Sequence, residues 1–227
     1  MNLLFVTVGT SAIENQEVGQ APDRQDNKLL LAEIVRYNRS TSRTRERWPK
    51  LFSDLVEAHK RYWDGMDGSY TFNPDNRKQT SAELSSTMAL LHDFKAKGIQ
   101  PPDKLVLLAS DTEEGEFAAQ VNEATFRALL PWISLAVTRV KNLDERFSDF
   151  SQSIGQSVNE YRESGADNVV FNITGGYKGA IPAITALAIS GGWTLYYQHE
   201  RSGDGAYLRV EGAGLHTEPR PFGRIWA

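Results

Sequence analysis

The chain has 227 residues, of which 40% are hydrophobic and 24% charged, with a formal net charge of −4. This composition is typical of a globular protein large enough to bury a full core in one α/β domain. The acidic balance excludes a global basic field that would recruit long nucleic acid, although a short nucleotide needs only local positive charge. Cysteine is absent, which excludes disulfides, thiolate metal sites and a cysteine nucleophile.

The four histidines are scattered, without the short spacing typical of a metal site, so we expect no metal and no cofactor. No apolar run approaches the roughly 18 residues that span a bilayer. The first residues, "MNLLFVTVGTS", lack a basic signal region. We therefore expect a cytoplasmic protein that does not engage a membrane.

The first elements along the chain are a buried strand and an insertion. The apolar run Leu3–Gly9 predicts a parallel strand that ends in a turn at Gly9-Thr10-Ser11. The segment at about 14–80 resembles an insertion, with helices predicted at 27–38 and 45–65 and a polar loop at 65–80. We expect it to cover a pocket and not to join the core. A helix follows, for which Ser81 is a plausible cap and Gly98 a stop.

Strands and helices alternate from there on. Strands are predicted at 103–110, 132–140, 168–174 and 193–200, with helices at 114–130, 143–164 and 179–190 between them. Alternation of this kind favours a single α/β domain with a Rossmann-like, doubly wound, mainly parallel sheet and helices on both faces. The tail at about 203–227 predicts one or two short strands and no second domain.

Three of the predicted strands end in small polar residues. These ends are Thr10-Ser11, Ser110-Asp111-Thr112, and Thr174-Gly175-Gly176-Tyr177-Lys178. In a doubly wound sheet the ligand lies outside the carboxyl ends of the strands, near the point where strand order reverses. The three ends therefore predict one shared site for a nucleotide or a phosphate.

Lys178 follows a glycine turn between a predicted strand and a helix of small residues. Backbone N–H groups, a helix N-terminus and an ammonium converging there would bind phosphate. The alternative is a tight turn that carries a solvated lysine. The stretch itself leaves both interpretations open.

The motifs "FVTVGTS", "LLASDTEEG" and "NITGGYKGAIPA" together resemble the CARF family, the CRISPR-associated Rossmann-fold domains, through about residue 199. The likeness is closest to the standalone CARF proteins and ring nucleases of type III CRISPR systems. It implies a homodimer that binds a cyclic oligoadenylate second messenger across its twofold axis. It also implies that Ser11 and Lys178 act on the cyclic ligand.

The resemblance and the strand ends together give the expected site. The expected catalytic residues are Ser11 and Lys178, and further ligand contacts are expected from Gly9, Thr10, Ser110, Asp111, Thr112, Thr174, Gly175, Gly176 and Tyr177. Plainer interpretations stay open for several of these residues. Ser11 fits a turn or a cap, Asp111 and Thr112 fit a helix cap, and Asn172 fits an amide that pins a neighbouring loop.

Larger CARF proteins often carry a HEPN ribonuclease with an Arg-x4–6-His motif. Arg209 and His216 have that spacing, but the stretch "RVEGAGLH" holds two glycines, which disfavour the required helix. We therefore expect no fused nuclease domain.

The predicted function is a ring nuclease for cyclic oligoadenylate, with cyclic tetra-adenylate as the expected ring. Attack by the ribose 2′-OH needs no metal and gives linear products that end in a 2′,3′-cyclic phosphate. The alternative is a CARF sensor that holds the ring intact and regulates a separate partner. A Rossmann enzyme that uses NAD is disfavoured, because no GxGxxG motif follows the first strand.

Overall fold

A computed structural model of the chain describes residues 1–14, 48–61, 80–140, 147–163, 165–166, 168–176, 178–198, 205–211 and 214–220. The helix predicted at 27–38, most of the loop predicted at 65–80 and the ligand contact predicted for Tyr177 lie outside the described residues.

One sheet of seven strands organises the described residues. The strands are β1 (Asn2–Thr7), β2 (Lys104–Ser110), β3 (Ser134–Val140), β4 (Asn168–Asn172), β5 (Thr194–Gln198), β6 (Gly205–Glu211) and β7 (Gly214–Arg220). Their spatial order is β3-β2-β1-β4-β5-β6-β7. The first five strands are parallel, and β6 and β7 add an antiparallel hairpin at the β5 edge.

Strand order reverses at β1. The chain runs outward from β1 through β2 to β3 and then crosses back, so that β4 pairs with the other side of β1. Leu4 of β1 is in register with Leu105 on one side and with Val170 on the other. The carboxyl ends of β1 and β4 therefore lie side by side at the reversal, which is the usual ligand position in such sheets.

Helices connect the parallel strands. They are α1 (Ser11–Glu14), α2 (Trp48–Arg61), α3 (Ala82–Ala96), α4 (Glu113–Leu129), α5 (Phe147–Glu163) and α6 (Ile181–Gly191), and a 3₁₀ turn at Lys178–Ala180 leads into α6. Among the helices that the structure describes, none is long and apolar enough to cross a bilayer.

The core has two layers, because successive residues of a strand face opposite sides of the sheet. Leu4 and Val6 face the layer that α2, α3 and α4 complete. Leu3 and Phe5 face the layer that α5 and α6 complete. Helices therefore cover both faces of the parallel strands, which explains why β1 is apolar at almost every position.

The predicted α/β class, with a doubly wound sheet and helices on both faces, is confirmed. One part of the prediction for 14–80 is wrong. Helix α2 lies in that segment, yet its Leu55 is fully buried in the core, and its Phe52 ring contacts the Phe117 ring of α4. The helical period of its apolar residues brings this face against α4, so α2 is part of the domain's core.

Candidate functional site

Two loops meet at the β1–β4 edge, by which we mean the carboxyl ends of these two strands. The β1 loop comprises residues 8–11, and the β4 loop comprises residues 173–176. The side chain of Thr7 joins them, since its hydroxyl lies within hydrogen-bond distance of the carbonyl oxygens of Gly175 and, at 3.3 Å, Asn172. The end of β1 is thereby fixed to the turn that follows β4.

Glycines let the two loops approach backbone to backbone. A Cβ atom placed on Gly9 would lie 2.8 Å from the backbone nitrogen of Gly176, closer than real Cβ contacts. Gly176 has a φ of +91°, and a Cβ there would lie 2.8 Å from the Cβ of Thr7. A side chain at either position would force the loops apart, so these glycines serve the packing of the site.

A glutamate that the sequence analysis did not select lies between the loops. Glu83 comes from the first turn of α3 and is 0% exposed. Its Oε1 accepts a hydrogen bond of 2.7 Å from the N–H of Gly9, and its Oε2 accepts one of 2.6 Å from the hydroxyl of Ser11. A Cβ on Gly175 would lie 2.2 Å from Oε1. One buried carboxylate therefore contacts both loops.

Burial raises the pKa of the Glu83 carboxyl, since desolvation disfavours the charged form. Hydrogen bonds from the hydroxyl of Ser11 and from the N–H groups of Gly9 and Glu83 itself oppose that rise but do not cancel it. Glu83 is thus a carboxylate with an elevated affinity for a proton, and it is hydrogen bonded directly to Ser11. Such groups are typical of acid–base sites.

Ser11 has two partners within the fold. Its hydroxyl donates to Glu83, and its oxygen accepts a hydrogen bond of 3.0 Å from the N–H of Ala82. The side chain therefore links α1 to the first turn of α3, and it remains partly exposed. The cap or turn interpretation of Ser11 describes these contacts, and they leave the residue open to a ligand.

His59 of α2 supports the turn that carries Ser11. It is 1% exposed, and its Nε2 lies 2.9 Å from the carbonyl oxygen of Ala12. A carbonyl only accepts, so the Nε2–H must donate. Burial lowers the pKa of His59 from 6.5 to about 4, which keeps the ring neutral near pH 7. Helix α1 has only four residues, and this contact gives it an anchor outside its own chain segment.

Lys178 lies farther along the same connection, in the 3₁₀ turn before α6, with an exposed side chain. Gly179 beside it is also exposed, whereas Ala180 is buried at the start of α6. The lysine thus follows the β4 loop by two residues on the accessible side of the turn.

The predicted residues after β2 form hydrogen bonds with one another, with the start of α4 and with Arg139 of β3. Thr112 caps α4 by accepting a hydrogen bond of 3.1 Å from the N–H of Gly115, and its hydroxyl is 2.9 Å from that of Ser110. Arg139 donates at 3.0 Å to the carbonyl of Ser110. Asp111 is exposed. These contacts describe a capped helix start, in which Ser110, Thr112 and Arg139 are joined to one another and to the N–H of Gly115.

Asn172 holds the β4 loop to its neighbours, in agreement with the interpretation of this amide as one that fixes a neighbouring loop. Its amide nitrogen donates to the hydroxyls of Ser86 at 2.7 Å and Thr87 at 3.1 Å, both on α3. Its Oδ1 accepts from the N–H of Thr174 at 3.2 Å, and the Thr174 hydroxyl accepts from the N–H of Gln198 at 2.9 Å. The β4 loop is thereby tied to α3 and to β5, and Thr174 itself is buried.

Helix α3 thus carries polar side chains into the interior under the β1–β4 edge. Within the described residues, no three His, Asp or Glu side chains cluster in a way that could hold a metal ion. The residues described at this edge include a serine, a buried carboxylate, glycine backbones and an exposed lysine.

A comparison with protein families finds a match to a family described as CRISPR-associated protein (Cas_APE2256) over residues 78–208, which is more than half of the chain. The chain belongs to the Cas_APE2256 family. No curated protein matches it. The expectation of a CRISPR-associated protein is confirmed at the level of the family.

The part of this Cas_APE2256 protein that matches the family runs from just before α3 into β6. It contains Glu83, the β4 loop and Lys178. The β1 loop with Ser11 lies before the matched residues. The contacts of Ser11 with Glu83 and Ala82 attach that loop to the family's part of the domain.

Sequence reasoning missed Glu83 and His59. Glu83 follows the helix cap Ser81 by two residues, where an acidic side chain is ordinary because it suits the helix dipole. A signal was nevertheless present in α3, because the run "SAELSST" places several polar residues in succession, and all but Ala82 prove to be buried. Polar residues on every side of a helix indicate that its partners are polar as well.

Proposed function

We propose that this protein is a ring nuclease that binds a cyclic oligoadenylate at the β1–β4 edge and opens the ring. One observation carries the proposal: Thr7 joins two loops at the reversal of strand order, one presenting Ser11 and the other leading to Lys178. Nucleotides bind at this position in open α/β sheets. The CRISPR-associated family and the CARF likeness of these loops support cyclic oligoadenylate as the nucleotide, with cyclic tetra-adenylate as the first candidate.

The proposed reaction uses the ligand's own nucleophile. A ribose 2′-OH attacks the adjacent phosphorus, the bond from phosphorus to the 5′-oxygen breaks, and the product is a linear oligoadenylate with a 2′,3′-cyclic phosphate. The protein must align the 2′-oxygen with the leaving oxygen and stabilise charge on the phosphoryl oxygens. Ser11 suits the first task because it is partly exposed on a firmly held turn.

The second task falls to Lys178. Its ammonium is a compact point charge on an exposed side chain, suited to the phosphate oxygens of a bound ring. Gly175 is buried against Glu83. The absence of a side chain at Gly175 leaves space for the Glu83 carboxylate. Lys178 therefore provides most of the stabilisation of the charge that develops on the phosphoryl oxygens.

A homodimer is part of the proposal. Helix α6 begins directly after the Lys178 turn, and it exposes apolar residues, among them Ile189 with 45% of its surface accessible and Pro182 and Ala186. A second copy packed on this face would bring two β1–β4 edges together about a twofold axis. An isologous interface of this kind presents the same residues to each half of a symmetric ring.

The alternative function is a sensor that binds the ring without cleaving it. One observation favours it: the hydroxyl of Ser11 already has partners within the fold, in Glu83 and the N–H of Ala82. A serine with a purely structural role would leave the site able to bind and unable to align the nucleophile.

The test is incubation of the purified protein with cyclic tetra-adenylate and cyclic hexa-adenylate in the presence of a chelator, with chromatographic separation of the products. The proposal expects a linear product from the wild type and a large loss of rate in Lys178→Ala. Lys97→Ala is the matched control, because Lys97 follows the far end of α3 and pairs with Asp93 at 3.0 Å. A ring that binds and stays intact supports the sensor, and a ring that does not bind refutes both functions.

A further inference from the structure

The hydroxyl of Ser11 has a limited capacity for hydrogen bonds. A serine hydroxyl has one proton to donate and two lone pairs that accept. With Glu83 ionised, the proton goes to Oε2 of Glu83, and the N–H of Ala82 occupies one lone pair. Among the contacts that the structure describes, one lone pair remains for a ligand.

The remaining lone pair decides which part of a nucleotide Ser11 can bind. Phosphate oxygens only accept, so they cannot bind to a lone pair. A ribose 2′-OH donates, and it fits the remaining lone pair of the Ser11 oxygen. The side chain is partly exposed, as this contact requires, whereas Glu83 is fully buried and reaches a ligand only through Ser11.

We infer that Glu83 is a positioning residue that acts through Ser11 as the ultimate acceptor of the proton from the attacking 2′-hydroxyl. This inference rests on the proposed ring nuclease function and adds to it the base that 2′-OH attack needs. Glu83 itself does not touch the ligand.

The proton transfers balance. The 2′-OH gives its proton to the Ser11 oxygen as Ser11 passes its own proton to Oε2 of Glu83. The 2′-oxygen forms its bond to phosphorus, the bond from phosphorus to the 5′-oxygen breaks, and the 5′-oxygen takes a proton from water. The hydroxide so formed is neutralised when Glu83 returns its proton through Ser11. No metal, oxidant or second substrate enters the balance.

The surroundings of Glu83 suit a proton acceptor. The groups that hydrogen bond to it, from the β1 loop, α1 and α3, are all neutral: the N–H of Gly9, the hydroxyl of Ser11 and its own N–H. Burial raises its pKa, which strengthens it as a base. Among the described residues, the ionisable side chains on the neighbouring turns include those of His59 and Lys178. His59 is neutral and held by Ala12, and Lys178 is the cation beyond the β4 loop.

Glu83→Gln is the informative substitution. The amide oxygen can still accept from the N–H of Gly9, but the amide nitrogen donates to Ser11, which reverses the direction of that hydrogen bond and leaves no base. General-base catalysis contributes about 10²- to 10⁴-fold. We expect the single-turnover rate of ring opening to fall at least 10²-fold, while ring affinity changes only a few-fold.

The pH dependence separates a base from a mere support. In the wild type the rate of ring opening should fall as pH decreases through the pKa of Glu83. We call this fall at low pH the acid limb, and Glu83→Gln should lack it. Ser11→Ala interrupts the relay and should lose the same limb, and the double variant should be no slower than either single one. Ser11→Ala also keeps the test valid if Glu83→Gln does not fold. Glu123→Gln, which removes a partly exposed carboxylate paired with Arg127 on α4, should match the wild type.

The outcomes distinguish the two proposals. The expected result is a slow Glu83→Gln variant without the acid limb. Two results would overturn the inference about Glu83 and leave the ring nuclease function standing. In the first, Glu83→Gln cleaves the ring at the same rate as the wild type. In the second, Glu83→Gln is slower by the same factor at every pH, so that its rate still falls at low pH as in the wild type. If the wild type does not cleave, the proposed function fails and takes this inference with it.

Discussion

The contribution of His59, which holds the Ser11 turn, to the stability of the protein should depend on pH. His59 is buried as a neutral ring that donates to the carbonyl of Ala12, and its pKa is lowered from 6.5 to about 4. A lowered folded-state pKa means that its contribution to stability is present above pH 6.5 and is lost as pH falls toward 4. The full difference corresponds to about 3 kcal/mol, and about 2 kcal/mol of it should be lost between pH 7.5 and pH 5.

The assay is urea unfolding of the wild type and His59→Gln at these two pH values. Glutamine can donate to the Ala12 carbonyl and does not titrate, so the stability of the wild type relative to the variant should fall by about 2 kcal/mol at the lower pH. His92→Gln is the matched control, since burial also lowers the pKa of His92 but that side chain is only partly buried. An unchanged difference between the wild type and His59→Gln would refute the assignment of a buried, neutral His59.

Three further predictions concern the β1–β4 edge. Gly175→Ala places a methyl group 2.2 Å from Oε1 of Glu83 and should lower the free energy of unfolding by about 1–3 kcal/mol. Gly155→Ala, whose new Cβ meets Leu187 at an ordinary 3.6 Å, should be neutral or stabilising in urea unfolding. Lys178→Ala should slow single-turnover ring opening by about 10²-fold with an unchanged melting temperature, and a wild-type rate would reduce the lysine to a turn residue. The folded-state pKa of Glu83 is raised, so the stability of the wild type relative to Glu83→Gln should decrease as pH rises through that pKa. The measurement is urea unfolding of both proteins at several pH values. A difference in their free energies of unfolding that does not change with pH would contradict this prediction.

The central strands were predictable because they are short apolar runs between turn signals. The predicted strand at 103–110 is β2, Lys104–Ser110, and the predicted strand at 168–174 contains β4, Asn168–Asn172. The Ser81 cap was also predictable, since its hydroxyl accepts from the N–H of Leu84 at 2.9 Å. Local signals of this kind depend on a few adjacent residues, which the sequence displays directly.

The tail was predicted to hold one or two short strands, and the structure forms β6 and β7 there as a hairpin on β5. The role of α2 could not be predicted, because its apolar face is the same whether it packs on the core or covers a ligand. Only the contact of Leu55 and Phe52 with the rest of the domain decides between these.

The site was predictable in outline and not in its interior. Strand ends with small polar residues indicated the edge, and the glycines after β1 and β4 do lie together there. The partner of Ser11 comes from a residue 72 positions away along the chain. No local pattern marks such a pairing, because an acidic residue in a first helical turn is satisfied by the helix dipole as readily as by a serine.

Ring opening by the 2′-OH is tested directly by the mass of the product formed from cyclic tetra-adenylate in water labelled with heavy oxygen. Attack by the 2′-OH rearranges bonds without adding water, so we expect a linear product of the same mass as the ring, without label, that ends in a 2′,3′-cyclic phosphate. A first product that carries heavy oxygen, or a ring that remains closed at saturating enzyme, would contradict this mechanism.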